Sequence, residues 1–320
     1  MMDEWGLQKA HCAMLLRDGA KNAVNAAELL NVPHMSCVSH SLHLVVGAVL
    51  LRKPRRPTQA SANPNAASSV SMVPISDEDT ATTDDAIEDA EYDEEDLEVE
   101  GDDAAQILED REGVCRAVEA LIVDNISGTS DLEHLGEMQA IVAKFRKIAT
   151  YFHKSSKGKS RLGHFQNEHE VKHPILDCPT RWSSTFEMLQ RFEDLKAPLT
   201  EFFYFVGGVG RAKFSDIKIR RPKYSDWFAV KCLSVLLHEF AYVTKRIGGE
   251  DYPTMIMAFP LLRILKEGLM NASIFDPIIA QAREEGHFAL DSTLEMMHGV
   301  RRSLLSLFKK RFSGMRAELL

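Results

Sequence analysis

The 320-residue sequence has few cysteines and no long apolar run, and each absence excludes a class of protein. Its five cysteines are scattered and form no Cys-x-x-Cys pair, which argues against a disulfide scaffold and a four-cysteine zinc site. No apolar run reaches the roughly 18 residues of a membrane-spanning helix, and the first residues lack the pattern of a signal peptide. The sequence therefore predicts a soluble intracellular protein from a reducing compartment, without a membrane partner.

Basic residues are absent from one segment, which divides the chain by charge. The whole chain has a formal net charge of −9, but the segment 77–103 holds sixteen Asp or Glu and no Lys or Arg. The remainder therefore carries a net charge of +7. Like charges at this density repel one another and bury little apolar surface, so we predict a disordered linker over 52–102. A solvated spacer and a specific partner-binding role are both open for it.

Before residue 51 the apolar pattern alternates between strand and helix. Residues 13–16 predict a short buried strand and residues 35–38 a second strand, and each is followed by a helix whose apolar residues recur every three or four positions. Pro33 should end the first helix, because the residue before a proline resists helical backbone angles. The second helix, over 42–50, has one apolar face.

After about residue 103 the pattern is helical. Apolar residues over 132–152 form a helical stripe, and further stripes follow toward the end of the chain. The spacing Ser-x-x-Glu, typical of capping boxes at helix starts, occurs at Ser130, Ser184 and Ser292. The predicted fold class is α/β plus α, with a mostly α-helical domain over 103–320.

Asp18 and the pair Cys37 and His40 are the candidates for metal chemistry. Asp18 ends the first predicted strand, where a carboxylate can bind a metal ion, although an Asp-Gly pair is also typical of a turn or a helix cap. Cys37 and His40 lie three residues apart, but a zinc ion would need a second such pair. We interpret them as a structural motif in which His40 fixes the turn, with a Cys-His nucleophile pair as the alternative, and predict no metal site.

Arg181 and Trp182 precede a predicted helix start, where free backbone N–H groups favour a phosphate. The guanidinium can pair with a phosphate and the indole can stack on a base; the alternative is a buried tryptophan beside a solvated arginine. Basic residues also cluster over 144–161 and 211–223, which suits a polyanion, although part of the first cluster can instead complement a helix end. The candidate DNA-binding residues are Arg181, Trp182, Lys144, Lys147, Lys154, Lys157, Lys159 and Arg161.

The order of three sequence blocks resembles that of hAT-family transposases and their domesticated relatives, the zinc finger BED domain-containing proteins. The blocks are RDGAKNAVNAA over 17–27, MSCVSHSLHLVV over 35–46 and CPTRWSSTFEML over 178–189. The first block departs from the family pattern by having Gly19 where Asn is usual. All three blocks follow one another in family order.

This resemblance implies an RNase H-like core split by a helical insertion, with three carboxylates that hold divalent metal for DNA cleavage. Asp18 matches the second carboxylate. Cys37 and His40 match a pair important to the core architecture. Arg181 and Trp182 match a pair that handles the flipped base and hairpin at the cleaved flank. Residues 1–51 are then a partial RNase H-like core, and we expect the other two carboxylates, the BED finger and the dimerisation region to lie outside this chain.

The expected function follows from having one of the three metal-binding carboxylates that the resemblance implies. One carboxylate cannot hold the metal ions that in-line displacement needs, so we expect no transposase or nuclease activity and no cofactor, with divalent metal relevant only to a complete triad. The prediction is a nuclear, transposase-derived DNA-binding protein with a role in transcription regulation, which forms oligomers with itself or with full-length relatives. The alternatives are a helical protein-interaction scaffold without DNA binding and a fragment of an active transposase.

Overall fold

Eleven helices and two short strands make up the part of the chain that the structure, a computed structural model, describes. The described residues are 14–17, 21–50, 104–126, 128–166, 171–178, 181–214, 217, 219–248 and 254–313. The elements are β1 Leu15–Arg17, α1 Lys21–Leu30, β2 His34–Ser36, α2 Val38–Leu50, α3 Ala104–Asn125, α4 Thr129–Lys154, α5 Ser156–Gly163, α6 Trp182–Asp194, α7 Lys196–Gly207, α8 Tyr224–Ile247, α9 Thr254–Met270, α10 Asp276–Glu284 and α11 Asp291–Arg311. Within these ranges, none of the helices combines the length and the apolar character needed to cross a lipid bilayer. The predicted linker over 52–102 lies outside them.

β1 and β2 form a small parallel sheet in which Leu15 lies opposite His34. α1 connects the strands and is followed by Asn31, whose φ of 49° is a left-handed conformation that Asn tolerates better than most residues. The predicted order of strand, helix, strand and helix is confirmed. The prediction that the first strand is buried is wrong: Leu16 is 50% exposed, and within the described residues only β2 pairs with β1. Two strands do not establish an RNase H-like core, which stays a prediction.

α2 lies inside the helical body. Leu42, Val45 and Val49 are fully buried, and the helix packs against α3, α4, α6, α8 and α11. Every residue from Leu44 to Leu50 is buried, so the prediction of a single apolar face is wrong for that part of the helix, because a helical segment enclosed by other helices is apolar on every side. The predicted boundary at residue 51 thus separates segments that share one hydrophobic core.

The aromatic centre of that core joins α4, α6 and α8. The apolar stripe predicted for α4 is confirmed from Leu135 to Phe152, whereas Leu132 at its start is exposed. The Phe145 ring lies edge-on to Phe192 of α6 at 5.2 Å and to Trp227 of α8 at 5.0 Å between centroids. Aromatic rings favour this edge contact because the positive edge of one ring meets the negative face of the other.

The three predicted capping boxes are wrong. α4, α6 and α11 each begin before the serine that the spacing indicated, and none of these three starts has a side-chain cap. A side-chain cap forms instead at α8, where the Asp226 carboxylate accepts the Lys223 backbone N–H at 2.6 Å. Lysine is not among the preferred residues at a helix start, so the spacing rule gives no signal there.

Candidate nucleic-acid interface

Two of the predicted motifs meet at one cleft. His40 and His43 of α2 form part of its wall, together with Arg181 and Trp182 at the start of α6. α3 and α8 supply the rest of the wall, and the cleft has a volume of about 380 Å³. The tertiary structure therefore unites the Cys-x-x-His segment and the Arg-Trp segment, which the sequence places far apart.

Within this cleft, Arg181 is accessible and Trp182 is not. Trp182 is 3% exposed and lies tilted against Phe186 at 6.4 Å between ring centroids. Arg181 is exposed, and its carbonyl accepts a hydrogen bond from Ser184 Oγ at 2.7 Å, which holds it at the start of α6. A ring so deeply buried offers no free face to a base. Of the two residues, Arg181 is the one that a phosphate in solution can reach.

His43 adds no positive charge to the cleft at neutral pH. Burial, and then the nearby His40, lowers the pKa of His43 to about 4, because a protonated imidazole is costly away from water and beside a second cation. The two rings are stacked with centroids 6.4 Å apart. Among the described residues that line the cleft, Arg181 is the one arginine or lysine.

Cys37 connects the small sheet to α2 through its backbone. Its N–H donates to the Arg17 carbonyl at 2.6 Å, and its own carbonyl accepts the Ser41 N–H at 3.0 Å. The part of the chain that the structure describes contains no group of three or more His, Cys, Asp or Glu that could hold a metal ion. Asp18 lies outside that part, so its role stays a prediction.

Two basic residues of the first cluster act inside the fold. Lys144 donates a hydrogen bond to Asp226 at 2.7 Å, and Arg146 donates one to Asp177 at 2.8 Å. Thr185 Oγ1 donates to the same Asp177 carboxylate at 2.6 Å, so this network joins α4 and α6 to the segment 171–178. Both carboxylate side chains are 8% exposed. Lys144, a predicted DNA contact, is thus already paired within the protein.

A second surface forms where α5 packs against α7 and the segments that follow it. Three cations each lie over an aromatic ring, with 4.2 to 4.4 Å between the cation and the ring centre. The pairs are Lys157 on Phe214, Arg161 on Phe205 and Arg221 on Tyr204. Arg211 and Lys213 are exposed in the turn after α7. We call these eight residues the basic-aromatic surface, and it brings together the two basic clusters of the sequence.

Two glycines permit close packing, Gly210 within the basic-aromatic surface and Gly158 beside it. A Cβ atom at Gly210 would lie 2.3 Å from a carbon of the Phe205 ring, far inside van der Waals contact. A Cβ atom at Gly158 would lie 2.9 Å from the Tyr151 ring. Larger residues at either position would displace the ring they face. The Phe205 ring, which carries Arg161, therefore depends on Gly210.

The remaining lysines among the predicted DNA-binding residues lie on α4 and α5. Lys154 is exposed at the end of α4, whereas Lys147 on α4 and Lys159 on α5 are half-buried. Sequence reasoning missed Tyr204 and the other rings that carry the cations. The basic cluster over 211–223 was the available signal, but a charge cluster does not show which rings lie beneath it.

Known proteins match this helical region. Residues 113–205 match the model of the ZBED1 RNase-like helical domain. The resemblance to zinc finger BED proteins is thereby confirmed. A segment of 66 residues is 35% identical to zinc finger BED domain-containing protein 4 of Homo sapiens, and it spans 20% of this chain and 6% of that protein. No solved structure matches the chain.

The match to the ZBED1 RNase-like helical domain begins within α3 and ends within α7. It contains Arg181 and Trp182 of the cleft, and Tyr204 and Phe205 of the basic-aromatic surface. The cation over Tyr204 comes from Arg221, beyond the matched residues. The similarity supports a transposase-derived protein of the zinc finger BED type, and a segment outside the match completes its basic-aromatic surface.

Proposed function

We propose that this chain is a transposase-derived DNA-binding protein of the zinc finger BED type that contacts phosphates through the basic-aromatic surface. The observation that carries the proposal is the set of three cation-ring pairs beside α5 and α7. A cation held over a ring has less conformational freedom to lose when it binds a phosphate. Basic residues interleaved with aromatic rings are typical of nucleic-acid-binding surfaces.

The charge of the chain supports the same partner. Outside 77–103 the formal net charge is +7, which attracts a polyanion over distances longer than a hydrogen bond. Arg211 and Lys213, in the turn between α7 and Phe214, add two exposed cations. DNA is the partner that this distribution fits, and we place the protein in the nucleus as a transcription regulator, in oligomers with itself or with longer relatives.

The proposed function does not include strand cleavage or a cofactor. The sequence offers Asp18 as its match to one of the three carboxylates that the family resemblance implies, and in-line displacement needs metal ions held by several. Incubation with a hairpin or a nicked duplex and Mg²⁺ or Mn²⁺ should leave the DNA intact. Metal-dependent cleavage that Asp18→Ala abolishes would overturn this part of the proposal.

A salt titration of DNA binding tests the surface. The logarithm of the affinity for a duplex should fall with the logarithm of the salt concentration by about 0.9 per phosphate contact. The double variant Arg211→Glu and Lys213→Glu should weaken binding. It should also reduce the magnitude of that slope by the amount that corresponds to about 2 phosphate contacts. The matched control is Lys309→Glu with Lys310→Glu, which makes the same charge change at the exposed end of α11. An equal loss in both double variants would show that net charge, and not this surface, binds DNA.

A helical protein-interaction scaffold is the second candidate, and α9 favours it. Ile256 is 75% exposed and Ile264 is 50% exposed, with exposed Pro260 midway between them. Residues four apart lie on one side of a helix, so these form an apolar strip on the outer face of α9. Exposed apolar faces of this kind mark protein-binding sites. Lack of salt-dependent DNA binding by the folded chain would favour the scaffold.

A further inference from the structure

Tyr204 differs from the other rings of the basic-aromatic surface in being open to solvent. It lies in the last turn of α7 and is 61% exposed, whereas Phe214 is 3% exposed and Phe205 is half-buried. We propose that Tyr204 is a stacking platform for an unpaired base, so that the surface prefers single-stranded DNA to duplex DNA. This inference rests on the proposed DNA-binding function and names the form of DNA that the surface binds.

The position of Arg221 gives the ring two different faces. The guanidinium carbon lies 4.2 Å from the Tyr204 ring centre and covers one face. Tyr204 as a whole is 61% exposed despite this contact, and we place the base on the face opposite Arg221. A base that stacks there sits one ring thickness from a fixed cation, which can pair with the adjoining phosphate. Arg221 also restricts the ring, so less conformational entropy is lost on binding.

The neighbouring residues extend this site toward a strand. Val209, five residues after Tyr204 in the turn that follows α7, is 95% exposed. Arg211 and Lys213 follow it within the same turn and are exposed. An aromatic face followed by apolar and cationic side chains matches the alternation of bases and phosphates along a single strand.

Charge alone does not choose between single-stranded and duplex DNA, because both present phosphates to the surface. The Tyr204 ring distinguishes the two forms, because a base in a duplex already has both of its faces covered by neighbouring bases. Stacking is also tolerant of base identity, as every base has a π face, so the preference concerns strandedness and not sequence. With one open ring in the basic-aromatic surface, each chain engages one base by stacking.

Fluorescence anisotropy of the full chain with three labelled probes tests the platform. The probes are an oligothymidine, a duplex of equal length and an abasic strand of equal length, which keeps the phosphates but has no bases. We expect the wild type to bind the oligothymidine most tightly at a given salt concentration. Tyr204→Ala should lose roughly tenfold in affinity for the oligothymidine and leave the other two affinities and the salt slope unchanged. Tyr204→Phe, which keeps the ring, should bind as the wild type does.

A matched control exists elsewhere on the protein. Tyr242 on α8 is 45% exposed and has Arg246 at 5.6 Å from its ring centre, so Tyr242→Ala removes a similar pair outside the basic-aromatic surface. It should not change binding of any probe.

Three outcomes would contradict the proposal. If the wild type binds duplex DNA in a salt-dependent way and Tyr204→Ala leaves the affinity for the oligothymidine unchanged, the platform is overturned and the proposed function stays intact. Equal losses on the oligothymidine and the abasic strand would show that Tyr204 only positions Arg221. No binding of any probe by the wild type would overturn both.

Discussion

The Lys144 ammonium lies 2.7 Å from Asp226 Oδ2, and this contact joins α4 to the first turn of α8. The same carboxylate accepts the Lys223 backbone N–H at 2.6 Å, and its side chain is only 8% exposed. A carboxylate this far from water is stabilised by the cation beside it, and removing that cation leaves the negative charge poorly solvated. The structure therefore gives Lys144 a role in folding.

We expect Lys144→Met to lower the free energy of unfolding by about 1–3 kcal/mol, because it leaves a buried carboxylate without its cation. DNA affinity of the folded variant should not change. Urea denaturation measures the first effect and anisotropy the second. Lys309→Met, at an exposed position on α11, should alter neither the stability nor the affinity. Weaker DNA binding at unchanged stability would instead make Lys144 a DNA contact.

The close approach of α4 and α11 depends on Gly299. A Cβ atom there would lie 2.0 Å from His134 Nδ1, so an added methyl group must displace the imidazole or separate the helices. Gly299→Ala should lower the free energy of unfolding by about 1–3 kcal/mol despite the better helix propensity of alanine. Gly136→Ala on α4 meets nothing within 4 Å and should stabilise the helix by up to about 1 kcal/mol. Thermal or urea denaturation of both variants measures this, and a stable Gly299→Ala would contradict the packing.

Stability should fall as the pH drops from about 6.5 toward 4, because His43 has a lowered pKa of about 4 in the folded chain. In that window the unfolded chain binds a proton that the folded chain does not, so acid favours unfolding. His43→Gln should remove about 1–2 kcal/mol of the change in unfolding free energy between pH 7.5 and 5. His238→Gln, which removes an exposed imidazole on α8, is the control for the loss of a histidine elsewhere. If the wild type and the two histidine variants show the same pH dependence of stability, His43 is not the source of the acid sensitivity.

The burial of α2 predicts that it stabilises the helices packed around it. Leu42 is fully buried, and Leu42→Ala should lower the unfolding free energy by about 2–5 kcal/mol through the cavity it leaves. Leu29→Ala on α1, where the residue is 85% exposed, makes the same chemical change and should have little effect. A single cooperative transition, followed by the fluorescence of the tryptophans of α6 and α8, should shift with Leu42→Ala. A transition that does not move would show that residues 1–51 form a separate folding unit.

Local patterns in the sequence were sufficient for the helices and insufficient for their ends. The stripe from Leu135 to Phe152 predicted the buried face of α4 correctly, because residues three and four apart always share a helix face. The Ser-x-x-Glu spacing failed at Ser130, Ser184 and Ser292, since a helix start is also set by the packing of the segment before it. At α8 the cap came from Asp226, whose position is also held by Lys144 of α4.

The candidate site was only partly predictable for a similar reason. Arg181, Lys157 and Arg161 were found as basic residues, and their exposure or ring contacts came from the fold. For Trp182 the sequence left a stacking role open beside burial, and the packing of α6 against its neighbours decided for burial. Tyr204 had no signal of its own, because nothing near it in sequence indicates that Arg221 covers one face of its ring.

The sequence by itself determined the mostly helical pattern, the separation of acidic from basic segments and the resemblance to zinc finger BED proteins. These properties depend on composition and on residues close together along the chain. Only the tertiary structure decided which cations are paired inside the protein, as Lys144 is, and which lie over rings at its surface, as Arg221 does. Such contacts join residues far apart in sequence, so they depend on how the helices pack, which no local pattern encodes.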